Sequence, residues 1–259
     1  MGRGFGVAAV VDHGVVGELA AEVERLGYDS FWVNDVPQAE GLASLAVAAT
    51  ATSRVRLGVG VIPLDGRPPE VIAQRVRDLA LPLDRLILGV GSGSSPGQLA
   101  RVRAGVPDVA EKVGSPVIVG ALGPKMSALA GEVSDGVLFN WLTPELAERD
   151  GRSVVAAATA AGRRRPTLMA YVRCGLMPRA EARLRDEIDR YAGIASYERH
   201  MARMAAEPID TCVVGADSAT LQSGLERFDA VLDETVVRAI TPDDTLDELV
   251  ALARACAPG

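Results

Sequence analysis

The sequence predicts a single-domain α/β protein, a (β/α)8 TIM barrel over residues 1–259, and two observations carry that prediction. Runs rich in β-branched and apolar residues occur eight times, bounded by glycine, proline and polar residues, and a segment of helical period separates most of them. Eight units of about 32 residues each have room for a strand, a helix and two loops. The alternative, an open doubly wound sheet, needs a reversal of strand order that this regular spacing does not indicate.

Each predicted strand is a short apolar run that ends near a polar or flexible residue. In chain order the strands are Phe5 to Val11, Ser30 to Asn34, Val55 to Ile62, Leu86 to Val90, Pro116 to Val119, Gly136 to Phe139, Thr167 to Cys174 and Glu234 to Ile240. The first helix between them has a clear period, since Leu19, Val23 and Leu26 recur at helical spacing before Gly27. Glycine at that position suits a C-terminal cap.

One interval breaks the rhythm, because roughly sixty residues separate the seventh and eighth predicted strands. It holds a charged stretch, residues 179–207, and no linker that would divide off a second domain. We therefore predict extra helices on the same barrel, as a lid or a subunit contact. His200 lies in that stretch beside Arg199 and Arg203, where a solvated helix face is expected.

The charge balance favours small-molecule chemistry. The chain has 34 acidic and 27 basic residues, a net charge of -7 and 4% aromatic residues, so it offers neither a basic footprint nor a stacking platform for nucleic acid. Cys174, Cys212 and Cys256 lack the spacing of a disulfide framework or a metal site. With no run apolar enough to cross a bilayer and no signal peptide, a cytoplasmic protein without membrane partners is expected.

Two glycine-rich turns point to a phosphate-bearing ligand. In a TIM barrel the active site lies at the C-terminal ends of the strands, and residues 89–95 and 120–125 follow the fourth and fifth predicted strands there. Glycine lets backbone N–H groups approach an anion, and the next helix adds its positive N-terminus. Lys125 adds a full charge. The alternative is that these glycines only form tight turns, since such motifs are weak singly.

His13 and Asp35 are the candidate catalytic residues. His13 follows the first strand, where an imidazole suits acid–base catalysis, although a capping role in the loop is the alternative. Asp35 follows the apolar residues 31–33, and a carboxylate at a buried strand end needs either a partner or a catalytic task. A structural bond to a neighbouring loop is equally consistent with that position.

Several segments of this chain resemble luciferase-like monooxygenases and their F420-dependent relatives. They are Tyr28 to Asp35, Thr52 to Pro63, Leu88 to Gly93, Val119 to Met126 and Leu129 to Val137. The similarity runs over most of the chain and is weakest between residues 163 and 208. These motifs are typical of the superfamily and identify no substrate.

The resemblance implies a (β/α)8 barrel that uses coenzyme F420 or FMN, with this sequence nearer the F420-dependent branch. It implies hydride transfer to or from a small organic substrate, a bulge at Gly60 and Val61 with a non-proline cis peptide behind the cofactor ring, and Asp35 near the reactive end. It further implies a cofactor ribityl and phosphate site in two turns, made of Gly91, Ser92, Gly93, Gly120, Ala121, Leu122, Gly123, Pro124 and Lys125.

Two departures from the family pattern leave alternatives open. Val36 stands where many F420-dependent relatives have histidine, so His13 is the hypothesis for the proton donor. The insertion between the fourth and fifth strands shrinks to about one helix. Both departures motivate a non-catalytic cofactor-binding barrel as one rival interpretation. Within the enzyme class, the rival is an FMN-dependent monooxygenase that uses oxygen.

The substrate pocket and the oligomeric state are less constrained. Relatives are commonly homodimers, with residues 179–207 as a candidate contact surface. Candidate pocket residues are Arg173, Met177, Tyr191 and Tyr197, and a pairing of Arg173 with a carboxylate of its own barrel is favoured over substrate binding.

Overall fold

A closed barrel of eight parallel strands with an outer ring of helices forms the body of the protein, as predicted. The computed structural model describes residues 1–259. The strands are β1 Gly2–Ala8, β2 Ser30–Asn34, β3 Arg56–Pro63, β4 Leu86–Gly91, β5 Val117–Ala121, β6 Gly136–Asn140, β7 Thr167–Leu176, β8 Val213–Gly215 and β9 Glu234–Ala239. The α-helices are α1 His13–Arg25, α2 Gly41–Ala51, α3 Pro69–Asp78, α4 Gln98–Val113, α5 Pro124–Val133, α6 Pro144–Ala160, α7 Glu181–Ala192, α8 Ala195–Met204, α9 Ser218–Asp229 and α10 Leu246–Ala255.

Strand pairing follows chain order around the barrel. Neighbours run from β1 to β7, β9 then pairs with both β7 and β1, and every pairing is parallel. The eighth barrel strand is thus β9, as the sequence predicts for residues 234–240. The short strand β8 pairs only with the end of β7 and lies outside the barrel. Three residues carry too little pattern to be found in the sequence.

Alternate residues of each strand face the barrel interior or the helices. The interior cluster holds Trp32, Leu138, Tyr171 and Val236 among its seven buried residues. Below it, at the N-terminal end, the carboxylate of Glu234 accepts hydrogen bonds from the side chains of Ser30, Trp32 and Arg56. The barrel is consequently filled and closed at that end, which leaves the C-terminal end for a ligand.

The first strand begins and ends earlier than the predicted Phe5 to Val11. β1 ends at Ala8 because its pairing with β9 starts at Gly2, opposite Glu234. Asp12 then caps α1, its carboxylate accepting a hydrogen bond from the backbone N–H of Gly14 at 2.8 Å. His13 is therefore the first residue of a helix and does not directly follow a strand.

The interval before β9 contains the predicted extra helices. α7 and α8 lie over the C-terminal rim, where Tyr191 of α7 contacts the ring of Trp141 and Tyr197 of α8 bonds to Asn140. Between β4 and β5 the chain has the single helix α4, as expected. None of the helices has the length and apolar character that crossing a membrane requires.

The fit of Trp32 inside the barrel gives a stability prediction. A Cβ atom at Gly58 would lie 2.3 Å from Cδ2 of Trp32, so Gly58→Ala forces the indole to move. We expect it to lower the free energy of unfolding by about 1–3 kcal/mol, the usual effect of overpacking, as measured by urea denaturation. The control Gly17→Ala lies in α1, with its nearest contact at 3.4 Å, and should be neutral or stabilising. Equal losses in both variants would contradict the proposed clash.

Candidate active site

A cleft of about 670 Å³ opens at the C-terminal ends of β2 to β7, beneath α7 and α8. Its walls come from strand ends and from the turns after β4 and β5. The structure brings together there every residue that the sequence suggests for a cofactor. They are Gly60, Val61, Gly91, Ser92, Gly93, Gly120, Ala121, Leu122, Gly123, Pro124 and Lys125.

The bulge on β3 forms one wall of the cleft. The register between β3 and β4 shifts between Val59 and Ile62, and the Gly60–Val61 peptide is cis, as the resemblance implies. The side chain of Val61 fits against two glycines, because a Cβ at Gly91 or Gly120 would lie 2.7 or 2.9 Å from its methyl groups. Glycine at these two positions on β4 and β5 therefore leaves the space that the Val61 side chain occupies.

The turn after β4 is held by a carboxylate from the neighbouring loop. Asp65 accepts hydrogen bonds from the backbone N–H groups of Ser94 and Ser95, each at 2.9 Å, and from the hydroxyl of Ser95. Gly93 has φ +70°, and a Cβ there would overlap the Asp65 carboxylate. The hydrogen bonds from Ser95 lower the pKa of Asp65, so the carboxylate that organises this turn stays charged at neutral pH.

The other end of the cleft is cationic. Helix α5 begins at Pro124 without a side-chain cap, so the positive end of the helix faces the turn after β5. Lys125, Arg199 and Arg203 line this end, and none of them pairs with a carboxylate. Arg203 donates a hydrogen bond to the carbonyl of Leu122 at 2.9 Å, which ties α8 to the turn. This arrangement suits a phosphate group.

His200 is buried, so the expectation of a solvated helix face is wrong. Its Nε2–H donates to the carbonyl oxygen of Trp141 at 2.6 Å, and its Nδ1 lies 3.4 Å from a guanidinium nitrogen of Arg203. Burial lowers the pKa of His200. The helix folds back over the rim, and Tyr197, His200 and Met204 form its inner face. Their spacing of three and four residues was a signal in the sequence that the surrounding charges concealed.

Asp35 lines the cleft and also has a structural partner. Its carboxylate accepts a hydrogen bond from the backbone N–H of Gly41 at 2.9 Å and forms a two-pronged ion pair with Arg67. Only 3% of its side chain is exposed. The structural partner that the sequence allowed is thus present, and the ion pair fixes the carboxylate at the edge of the cleft; a catalytic task for Asp35 stays a prediction.

The structure does not bring His13 into the cleft. The side chain is exposed at the start of α1, and its Nε2 lies 3.4 Å from the hydroxyl of Ser44 on α2. The reason is the early end of β1, which leaves residues 9–12 to carry the chain away from the barrel axis before His13.

Two buried polar groups in the cleft lack hydrogen-bond partners. They are the hydroxyl of Tyr171 on β7 and the side-chain oxygen of Asn34 on β2. Burial raises the pKa of Tyr171 far above its ordinary value, so this hydroxyl keeps its proton and acts as a donor. Because buried polar groups are normally paired, these two fit a site that a polar ligand completes. Asn34 is the last residue of the second predicted strand, at the rim where polar residues gather, whereas Tyr171 lies within a strand and did not stand out in the sequence.

The chain belongs to the luciferase-like monooxygenase family, which matches it over residues 11–108 and 97–257. Among curated relatives, the 5,10-methylenetetrahydromethanopterin reductase of Methanolobus tindarius is 29% identical over 197 residues, covering 61% of this chain and 60% of the reductase. The chain therefore spans less than two thirds of the length of that relative.

Solved structures share the fold along their whole length. An F420-dependent secondary alcohol dehydrogenase in complex with an F420-acetone adduct matches with a TM-score of 0.75 at 15% identity, covering 99% of each chain. The oxygenating constituent of 3,6-diketocamphane monooxygenase from Pseudomonas putida, in complex with FMN, has a TM-score of 0.69 at 12% identity and covers 100% of this chain and 99% of its own.

The buried His200 gives a pH prediction. In the unfolded chain a histidine takes up a proton as the pH falls through about 6.5, whereas the folded protein resists this because the pKa of His200 is lowered. The free energy of unfolding should therefore fall as the pH is lowered from about 7.5 to about 5.5, and fall less in His200→Gln. Urea denaturation at both pH values measures this. Above about pH 7.5 the two proteins should show parallel pH dependence, and a parallel response below it would contradict the assignment.

Proposed function

We propose that this protein is an F420-dependent oxidoreductase that moves a hydride between C5 of the deazaflavin and a small organic substrate. The observation that carries the proposal is the continuity of one cleft from the Gly60–Val61 bulge to the cationic end at α5 and α8. A cleft with the Val61 bulge at one end and unpaired cations at the other suits a cofactor with a ring system and a phosphate.

The residues of the cleft divide into three parts in this proposal. Gly60 and Val61 hold the ring, the turn after β4 holds the ribityl chain, and Gly123, Lys125 and Arg203 hold the phosphate. Bound F420 supplies a carbon centre that accepts or gives a hydride, and the protein supplies position and charge. Asp65, in the loop after β3, supports the turn after β4, because its hydrogen bonds fix Ser94 and Ser95 without a ligand.

Proton transfer has two candidate groups. His13 is the hypothesis from the sequence, although its exposed side chain at the start of α1 does not line the cleft. Tyr171 is the hypothesis from the structure, because its protonated hydroxyl has no partner and lines the cleft close to Gly60, whose Cβ, if present, would lie 2.7 Å from it. We propose that Asp35, whose two oxygens both bond to Arg67, keeps the adjacent wall in place near the reactive end of the cofactor.

A titration with F420 and, separately, with FMN tests the cofactor. F420 should bind to the purified protein, and its fluorescence should be quenched on binding. FMN should bind more weakly. Arg203→Gln should weaken binding of the preferred cofactor about tenfold through loss of a charge-assisted phosphate contact. The matched control Arg227→Gln, in a surface pair with Glu145, should bind as the wild type does.

Either rival interpretation has its own outcome in this titration. Tight FMN binding with oxygen consumption would replace the proposal by a flavin monooxygenase. The third outcome is that the protein binds neither cofactor although its circular dichroism spectrum shows that it is folded. That outcome would replace the proposal by a barrel without redox function.

Paired variants separate the two proton-transfer hypotheses. If the Tyr171 hydroxyl donates a hydrogen bond to the reacting oxygen, Tyr171→Phe should lower kcat about 10²-fold, the usual effect of removing one such donor, while cofactor affinity changes little. His13→Gln should then retain turnover. The reverse pattern would assign the proton donor to His13, and retained turnover in both variants would exclude both residues from the chemical step.

A further inference from the structure

Two arginines lie side by side inside the barrel at its C-terminal end. Arg173 of β7 and Arg238 of β9 are register partners, and they are 1% and 5% exposed. Two residues earlier, Tyr171 and Val236 are also register partners and belong to the interior cluster. Because side chains alternate along a strand, both guanidinium groups face the interior at the level of the cleft.

The two arginines depend on one buried carboxylate. Burial raises the pKa of Glu187, but the charges of Arg238 and then of Arg173 lower it by more, so both act on the same group. Arg173 bonds to Asn140, lies 3.5 Å from a carboxylate oxygen of Glu187 and stacks on the ring of Trp141 at 3.8 Å. Arg238 has a single hydrogen bond, to the backbone carbonyl of Ala239, and its Nε has no partner. No carboxylate lies within ion-pair distance of Arg238.

The nearby carboxylates are already engaged. Glu187, which is buried, pairs with both Arg173 and Arg190, and Asp35 pairs with Arg67. Two buried arginines therefore share one buried carboxylate, and one positive charge is left in excess. Buried arginines are nearly always paired, so this excess marks a place for an anion that the chain itself does not provide.

Arg238 also lies close to the cleft. Burial raises the pKa of Tyr171, and the positive charge of Arg238 is the largest influence that opposes this rise. The hydroxyl of Tyr171 lines the cleft without a partner, and Arg238 itself is not one of the lining residues. An anion therefore reaches Arg238 past the Tyr171 hydroxyl, which can donate to it.

We propose that Arg238 binds an anionic group of the substrate, a carboxylate or a phosphate ester. That the anion belongs to a substrate rests on the proposed function. The anion site itself is inferred from the excess buried charge. It is distinct from the cationic end of the cleft, because β5 and β9 are separated around the barrel by β6 and β7. The substrate class is therefore small organic acids or phosphate esters.

Benzoate, its neutral amide benzamide and phenyl phosphate are suitable probes, titrated calorimetrically into the cofactor-free protein. Benzoate or phenyl phosphate should bind and benzamide should not. Arg238→Met should weaken binding of the anion about tenfold or more, as expected for loss of a buried charge-assisted contact. Arg190→Met, which removes a half-exposed arginine from the same cluster, should change it little. If benzoate loses affinity in Arg238→Met, the site prefers a carboxylate. If phenyl phosphate does, the site prefers a phosphate ester.

A stability measurement separates this role from a structural one. If the Arg238 charge awaits a ligand, Arg238→Met without ligand should melt at the same temperature as the wild type or higher, because an unpaired buried charge has been removed. A clear fall in melting temperature would instead show that Arg238 supports the fold. Equal binding of benzoate and benzamide, or loss of benzoate binding in Arg203→Gln and not in Arg238→Met, would overturn the proposal. Since no cofactor is present, these outcomes are independent of whether F420 binds.

Discussion

The contact between Val61 and the two glycines opposite it is the constraint on which the rest of the site depends. Its methyl groups lie so close to Gly91 and Gly120 that neither strand has room for a side chain there. This contact fixes the bulge of β3 against β4 and β5, and both glycine-rich turns start from those two positions. The wall of the cleft and the starts of its two turns are consequently one packed unit, to which the hydrogen bonds of Asp65 add the rest of the turn after β4.

The parts of the fold that depend on local pattern were predictable from the sequence. Strand runs and glycine turns have a period or a composition of their own, so the barrel, its eighth strand and the residues of the two turns could be placed within a few positions. The non-proline cis peptide came from the family resemblance alone. The first strand lies earlier in the chain than predicted, because its start is set by the pairing of Gly2 with Glu234, which is distant in sequence.

The parts that depend on distant contacts could not be predicted. The bond from His200 to Trp141 spans 59 residues, and it turns a helix that looks solvent-exposed into one wall of the cleft. The excess charge of Arg238 depends on the register between β7 and β9 and on Glu187 of α7. A sequence shows each charged residue but not which carboxylate it reaches, so the balance of buried charge becomes visible only in three dimensions.

The order of the strands has a consequence for how this protein can diversify. The Val61 wall of the cleft and its two glycine-rich turns come from β3, β4 and β5, which are consecutive, whereas the two neighbouring arginines come from β7 and β9. A change at position 238 therefore touches no atom of the Val61 contact. In the function that we propose, lineages with this arrangement can change their substrate preference by substitution on β7 and β9, while the packed wall on β3, β4 and β5 is inherited unchanged.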